Sequence, residues 1–106
     1  MREAVIVSTA RTPIGRAYRG SLNSTLAPTL GGHAIEHAVA RAGIDGGEVE
    51  DVIMGCALTQ GSSGSNIARL AAMRAGLPTT VSGMTMDRQC SSGMMAIATA
   101  AKQIIS

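Results

Sequence analysis

Cys90 is the residue of this sequence best placed to act as a nucleophile. It lies in residues 87–93 (DRQCSSG), between a run that predicts a strand and a run that predicts a helix. A thiol at the start of a helix is close to unpaired backbone N–H groups and to the positive end of the macrodipole, which together stabilise a thiolate. The same N–H groups can bind the oxyanion that develops when a carbonyl group is attacked. The pattern therefore predicts covalent catalysis through Cys90.

The residues after this thiol are small. Ser91, Ser92 and Gly93 are expected to leave room for an acyl chain to approach the sulfur. The arrangement is the cysteine counterpart of the strand-turn-helix elbow that presents a serine in hydrolases, although the G-x-S-x-G pattern is absent. The alternative is an inert buried thiol, which is the usual state of a free cysteine. Cys56, inside an apolar run, is expected to be such a core thiol with no catalytic role.

Three further patterns have both a functional and a structural interpretation. His33 and His37 fit the H-x-x-E-H pattern of one class of zinc peptidases, but a catalytic zinc site needs a third protein ligand, so a solvated helix face is favoured and no metal is predicted. Residues 61–65 (GSSGS) precede a predicted helix and could bind phosphate, but they lack the ending of a P-loop, and a flexible connection is favoured. Four methionines near Cys90 could line an acyl pocket or simply fill the core, and core filling is favoured: Met84, Met86, Met94 and Met95.

The elements around Cys90 alternate between strands and helices. Strands are predicted at residues 3–9, 49–58 and 81–87, where Val, Ile and Met are frequent. Helices are predicted from Pro28 to a C-cap at Gly43, from Asn66 to Ala75, and from Cys90 to the last residue. This order predicts an α/β fold with a parallel-dominated sheet and helices packed on it.

Length and composition limit the chain to one domain without aromatic anchors. Its 106 residues contain no Trp, no Phe and one Tyr, so the core must be aliphatic, and independent stability is expected to be marginal. The net charge of +2 comes from scattered basic residues, which argues against nucleic acid binding. No apolar stretch approaches the ~20 residues that span a bilayer, so no membrane association is predicted. Two cysteines and no export signal favour the cytoplasm.

Four blocks, in the same order, resemble the N-terminal region of the thiolase family. They are VIVSTARTPIG, RAGI with VEDVIMG, NIARLAAMRAGLP and DRQCSSGMMAI, and the resemblance covers the whole chain. It implies that residues 1–106 are an incomplete N-terminal thiolase domain. It also implies that Cys90 is the nucleophile, which is acylated by an acyl-CoA and passes the acyl group to coenzyme A or to an acetyl-CoA carbanion. Coenzyme A is then a co-substrate, and no tightly bound cofactor is expected.

The resemblance implies further parts that these residues do not supply. Thiolases use a histidine and a second cysteine from their C-terminal half, and neither can be assigned here. Many have Asn three residues before the nucleophile, where this chain has Asp87, to which no catalytic role is given. A homodimer or tetramer is implied, with residues 81–87 as the candidate dimer seam. Ketoacyl synthases share the fold and the cysteine chemistry but match the four blocks less well. A non-catalytic module, competent only with a missing C-terminal half, is the alternative function.

Overall fold

The computed structural model describes residues 2–106. Three α-helices and two β-strands follow one another along the chain, and two single turns of 3₁₀-helix lie between them. The elements are α1 (Ala27–Ala42), a 3₁₀ turn (Gly46–Glu48), β1 (Asp51–Gly55), a second 3₁₀ turn (Gly61–Ser63), α2 (Ile67–Arg74), β2 (Ser82–Met86) and α3 (Ser92–Ile105). All three predicted helices and the last two predicted strands are confirmed. Helix α1 begins one residue earlier than expected, β1 has half the predicted length, and the other three elements are two or three residues shorter than predicted.

The ends of the helices show why the sequence could locate them. Pro28 lies in the first turn of α1, where its missing N–H group costs nothing. Gly43 ends the same helix in the left-handed conformation (φ 72°), and its N–H group donates to Ala40 O. The start of α2 depends on a neighbouring strand, because Thr85 Oγ1 in β2 accepts the Ala68 N–H at 3.0 Å. This contact fixes α2 against β2.

The two strands are parallel neighbours, with Val52 opposite Gly83 and Gly55 opposite Met86. Because side chains alternate along a strand, Gly83 and Gly55 face opposite sides of this sheet. A Cβ on Gly83 would lie 2.7 Å from the Arg69 backbone nitrogen in α2, and one on Gly55 would lie 2.2 Å from the Ser92 carbonyl carbon in α3. Helices α2 and α3 therefore pack on opposite faces, each against a glycine that permits close approach.

The core lies between α1, α2 and the sheet and is built from small aliphatic side chains, as the composition predicts. Its central cluster is Ala72, Leu77 and Val81, and the partly buried side chains that pack around it include Ile35, Val39, Val49 and Val52. On the other side of the sheet, Ala96 is the buried apolar residue of α3 among those described. More buried apolar side chains thus lie on the α1 and α2 face of the sheet than on the α3 face.

The predicted first strand at residues 3–9 is wrong. This segment is not part of a strand, and the sheet described has two strands rather than three. Val5, Ile6 and Val7 are 69%, 76% and 75% exposed. β-propensity measures how well a side chain fits a pleated and half-buried surface, and these residues have neither ladder bonds nor cover. Side-chain contacts to α1 hold the segment instead: Ser8 Oγ donates to Ala38 O at 2.7 Å, and Arg41 donates to Thr9 O at 2.7 Å.

No helix in residues 2–106 is both long enough and apolar enough to cross a bilayer.

Candidate functional site

The structure places Cys90 in the tight turn between β2 and α3, as the sequence predicts. The thiol is exposed. Helix α3 begins at Ser92, with Ser91 as its N-cap residue, so Cys90 lies two residues before the first helical residue rather than inside the helix. Its sulfur is therefore next to the helix terminus, where the free N–H groups and the macrodipole act together.

Hydrogen bonds close the turn on both sides of Cys90. The Ser91 N–H donates to Arg88 O at 3.1 Å, and the Ser92 N–H donates to Gln89 O at 3.2 Å. Before the thiol, the Gln89 N–H donates to Asp87 Oδ1 at 2.9 Å. These contacts fix the backbone from residue 87 to residue 92 as one unit.

Asp87 thus acts in the turn through an oxygen acceptor. An Asn at this position would offer the same Oδ1 atom and could accept the same hydrogen bond. The carboxyl group is exposed and faces solvent as well as the turn. The structure accordingly gives Asp87 a structural contact.

Gln89, directly before the thiol, adopts the left-handed backbone conformation with φ 51°. For a residue other than glycine this conformation costs roughly 1–2 kcal/mol. Such residues persist where the surrounding contacts determine the backbone. Here the hydrogen bonds of the turn perform that function, directly before the exposed Cys90.

Ser92 differs from what the sequence suggested. It is buried, with 4% of its surface exposed, so it does not line an approach to the thiol. Its hydroxyl accepts the Arg88 N–H at 2.8 Å and donates to Gln89 O at 2.6 Å. Ser91 and Gly93 are exposed, and these two leave space beside Cys90.

The site offers backbone donors for an anion. Among residues 2–106, no backbone carbonyl or side chain accepts a hydrogen bond from the N–H groups of Cys90, Gly93 and Met94. Free N–H groups in the first turn of a helix can stabilise a thiolate or an oxyanion. The turn therefore combines an exposed thiol with backbone N–H groups that have no acceptor among residues 2–106.

Gly55 supports this turn from the sheet. The absence of a side chain lets the backbone of Ser92 and Gly93 lie directly against β1, where a Cβ would be 2.2–2.4 Å from their atoms. Sequence reasoning missed Gly55 and predicted an exposed position for Ser92, which is buried. A lone glycine inside an apolar strand is a known sign of close backbone approach and was the available signal for Gly55. No sequence signal separated Ser92 from Ser91.

Cys56 is not the core thiol that the sequence predicted. It is half-buried, follows the last residue of β1, and donates through Sγ to Leu58 O at 3.4 Å. Its N–H group bonds to Met86 O at 3.0 Å, which extends the ladder by one residue. The strand ends at Gly55 although the apolar run continues to Leu58, so Cys56 lies at the carboxyl end of the sheet rather than in the interior.

The remaining candidates are resolved by their surroundings. His33 and His37 are exposed on α1 with ring centroids 4.3 Å apart, which confirms a solvated helix face. No three His, Cys, Asp or Glu side chains in the described chain are grouped as metal ligands. The prediction of core filling is wrong for Met84 and Met94, which are exposed, while Met86 and Met95 are half-buried.

The Gly/Ser stretch at residues 61–65 lies beside the candidate site. Gly61–Ser63 form a 3₁₀ turn, and Ser62 Oγ accepts the Ala27 N–H at 3.2 Å. An open cavity of about 510 Å³ is lined by residues of this stretch, of β2 and of the turn, including Thr59, Ser65, Asn66, Thr85 and Asp87. The stretch and the Cys90 turn thus share one surface.

Comparison with known proteins identifies the family. The family described as "Thiolase, N-terminal domain" matches residues 4–106. The chain is 46% identical over 105 residues to a 3-ketoacyl-CoA thiolase of Bacillus subtilis, with 99% of this chain and 27% of the relative covered. It is 48% identical over 105 residues to an acetyl-CoA acetyltransferase of Cupriavidus necator, covering 99% of this chain and 26% of that protein.

A third relative is an acetyl-CoA acetyltransferase of Escherichia coli, 46% identical over 104 residues, with 98% of this chain and 26% of the relative covered. The chain spans about a quarter of the length of these curated relatives. The α/β architecture with a parallel sheet agrees with a thiolase-like fold. This chain therefore belongs to the thiolase family and corresponds to its N-terminal domain.

Proposed function

We propose that this chain supplies the nucleophile of a thiolase-type acyl transfer, and that the nucleophile is Cys90. The observation that carries the proposal is the exposed thiol, held in a hydrogen-bonded turn immediately before the free N–H groups of α3. Relatives named as 3-ketoacyl-CoA thiolase and acetyl-CoA acetyltransferase support acyl-CoA substrates, with coenzyme A as co-substrate. The proposed reaction includes no tightly bound cofactor.

The covalent step balances without any further reagent. Cys90 Sγ forms a bond to the thioester carbonyl carbon while the negative charge develops on the carbonyl oxygen. The first-turn N–H groups are placed to stabilise that charge. The bond from carbon to the sulfur of coenzyme A then breaks, and coenzyme A leaves as a thiol with the proton that Cys90 gave up. In the second half-reaction of synthesis, an acetyl-CoA carbanion bonds to the acyl carbon and the bond from that carbon to Cys90 Sγ breaks. Degradation is the same sequence in reverse, with acetyl-CoA as the leaving group of the first half-reaction and coenzyme A as the acceptor of the second.

An assembly through β2 belongs to the same proposal. Within residues 2–106, β2 pairs with β1 on one side, and its other edge has no ladder partner. An open strand edge offers N–H and C=O groups to another chain. We therefore place the seam of a homodimer, or of a dimer within a tetramer, at residues 81–87. Both cysteines are free thiols, which favours a cytoplasmic location.

The alternative is a module that becomes competent only together with further thiolase segments. The exposed Val5, Ile6 and Val7 favour it, because a contiguous exposed apolar run marks a surface that other elements cover. The chain's coverage of about a quarter of its relatives is consistent with this alternative.

Incubation with acetyl-CoA followed by peptide mass spectrometry separates the two functions. An acetyl adduct is expected on Cys90 in the original chain and in Cys56→Ala, and none in Cys90→Ala. Because Cys56 is the other thiol of the chain, Cys56→Ala is the matched control. An unacetylated Cys90 that still reacts with iodoacetamide would contradict acyl transfer by this chain and support the module.

A further inference from the structure

Ser92 is a buried polar side chain that the reaction chemistry alone does not require. It lies at the first position of α3, and its side chain touches no carbonyl of that helix. Its hydroxyl instead accepts the Arg88 N–H and donates to Gln89 O, at 2.8 Å and 2.6 Å. One hydroxyl thus uses both its donor and an acceptor site on the two residues that precede Cys90.

These two contacts close a loop of backbone that contains Cys90. The hydroxyl belongs to the second residue after the thiol, and its partners are the second and first residues before it. Gln89, one of the partners, has the left-handed φ of 51° and directly precedes the exposed thiol. Without the hydroxyl, the Arg88 N–H would lose its partner and Gln89 would keep only its contact to the Ser92 N–H and its own bond to Asp87.

Ser91 provides the natural comparison. It has the same side chain and is one residue closer to Cys90, but it is exposed. Its hydroxyl makes one contact, a bond of 2.9 Å to Arg88 O, and that carbonyl already accepts the Ser91 N–H. Water can replace an exposed contact of this kind, whereas a buried donor that loses its partner pays the desolvation cost in full.

We infer that Ser92 is a positioning residue for the nucleophile. Its buried hydroxyl fixes the direction in which the Cys90 thiol points relative to the free N–H groups of α3, and Gly55 lets the backbone of Ser92 lie against the sheet so that the hydroxyl reaches the turn. The inference rests on the proposed function of Cys90 and deepens it, because it names the residue that orients the thiol.

The test compares the two thiols of the same chain. The chain is treated briefly with iodoacetamide at neutral pH, and the ratio of Cys90 to Cys56 alkylation is measured by peptide mass spectrometry. Ser92→Ala is expected to lower this ratio by about fivefold, because both hydroxyl contacts of the turn are lost. Ser92→Thr keeps the hydroxyl and is expected to restore the ratio. Ser91→Ala is the matched control and is expected to leave it unchanged.

A second measurement does not depend on how a variant folds. In the original chain, hydrogen exchange of the Arg88 amide is expected to be slower than that of the Cys90 amide, which has no acceptor among residues 2–106. Equal exchange rates, an unchanged alkylation ratio in Ser92→Ala, or no rescue by Ser92→Thr would overturn the inference. Failure of Cys90 to accept an acetyl group from acetyl-CoA would instead contradict the proposed function, since alkylation needs no acyl-CoA.

Discussion

The two cysteines follow the two parallel strands, and the regions around them differ in almost every other respect. The carboxyl ends of β1 and β2 are in register, with Gly55 opposite Met86. Cys56 comes one residue after β1 and leads into an exposed connection of residues 57–60. Cys90 comes four residues after β2, at the end of a hydrogen-bonded turn that leads into α3. Location at the carboxyl end of the sheet therefore does not by itself distinguish the two thiols.

The difference lies in what each segment does with its backbone. After β1, the Cys56 N–H continues the ladder and its thiol bonds to the nearby Leu58 carbonyl. After β2, Gln89 adopts the left-handed conformation, and its backbone N–H and C=O groups are both hydrogen-bonded within the turn. The N–H of Cys90 has no acceptor among residues 2–106. A thiol becomes suited to nucleophilic chemistry when the backbone around it is fixed but the donors beside it are not used. Substitutions in the two regions can test whether a fixed backbone with unused N–H donors distinguishes Cys90 from Cys56.

The largest effect is expected from Gly55→Ala, which adds a methyl group between β1 and the start of α3. In Gly55→Ala, the new Cβ would lie 2.2 Å from the Ser92 carbonyl carbon, so α3 must move away from β1. Overpacking against backbone atoms costs about 1–3 kcal/mol, and the free energy of unfolding is expected to fall by that amount. The ratio of Cys90 to Cys56 alkylation is expected to fall with it. Urea denaturation and mass spectrometry measure the two effects.

Gly93→Ala is the matched control for this substitution. Gly93 lies in the same contact between β1 and α3, but a Cβ there has no heavy atom within 4 Å. Alanine in a helix is favoured over glycine by roughly 0.5–1 kcal/mol, so this variant is expected to be more stable than the original chain. A Gly55→Ala variant as stable as Gly93→Ala would show that the close approach of α3 is not needed.

A smaller effect is expected at Asp87. Asp87→Ala removes the oxygen that accepts the Gln89 N–H, and the free energy of unfolding is expected to fall by about 1 kcal/mol. Asp87→Asn keeps an Oδ1 acceptor and is expected to remain near the original chain in both stability and Cys90 alkylation. If Asp87→Asn and Asp87→Ala lower the free energy of unfolding equally, the turn requires the carboxyl charge rather than the hydrogen bond.

The sequence predicted the site more fully than it predicted the sheet. The placement of Cys90 depends on local signals: a strand, a break and a helix within about twenty residues, and all three are confirmed. The predicted strand at residues 3–9 depended instead on pairing with another part of the chain. The continuous apolar run of Val5, Ile6 and Val7 could not reveal that residues 3–9 have no ladder partner in the described chain.

The same distinction explains what was missed inside the site. Ser91 and Ser92 are identical in the sequence, and only the direction of approach between β1 and α3 buries one hydroxyl and exposes the other. The wrong prediction for Cys56 has a related cause, because hydropathy alone does not show that the strand ends at Gly55. Contacts between distant segments decide burial, and single-residue patterns do not contain them.

The smallest effect is expected at Gln89, where it tests whether the turn holds a strained backbone. Glycine adopts a φ near 51° without steric cost, but it also makes the unfolded chain more flexible, so Gln89→Gly is expected to raise the free energy of unfolding by only about 0.5 kcal/mol. The alkylation ratio is expected to fall slightly, because glycine leaves the turn free to adopt other conformations.

Tyr18→Gly is the matched control, since exposed Tyr18 also has a positive φ of 67° but lies far along the chain from the thiol. It is expected to give a similar gain in stability with no change at Cys90. If both variants changed the Cys90 ratio equally, the ratio would report global stability, and the contrast between the two strand ends would lose its basis.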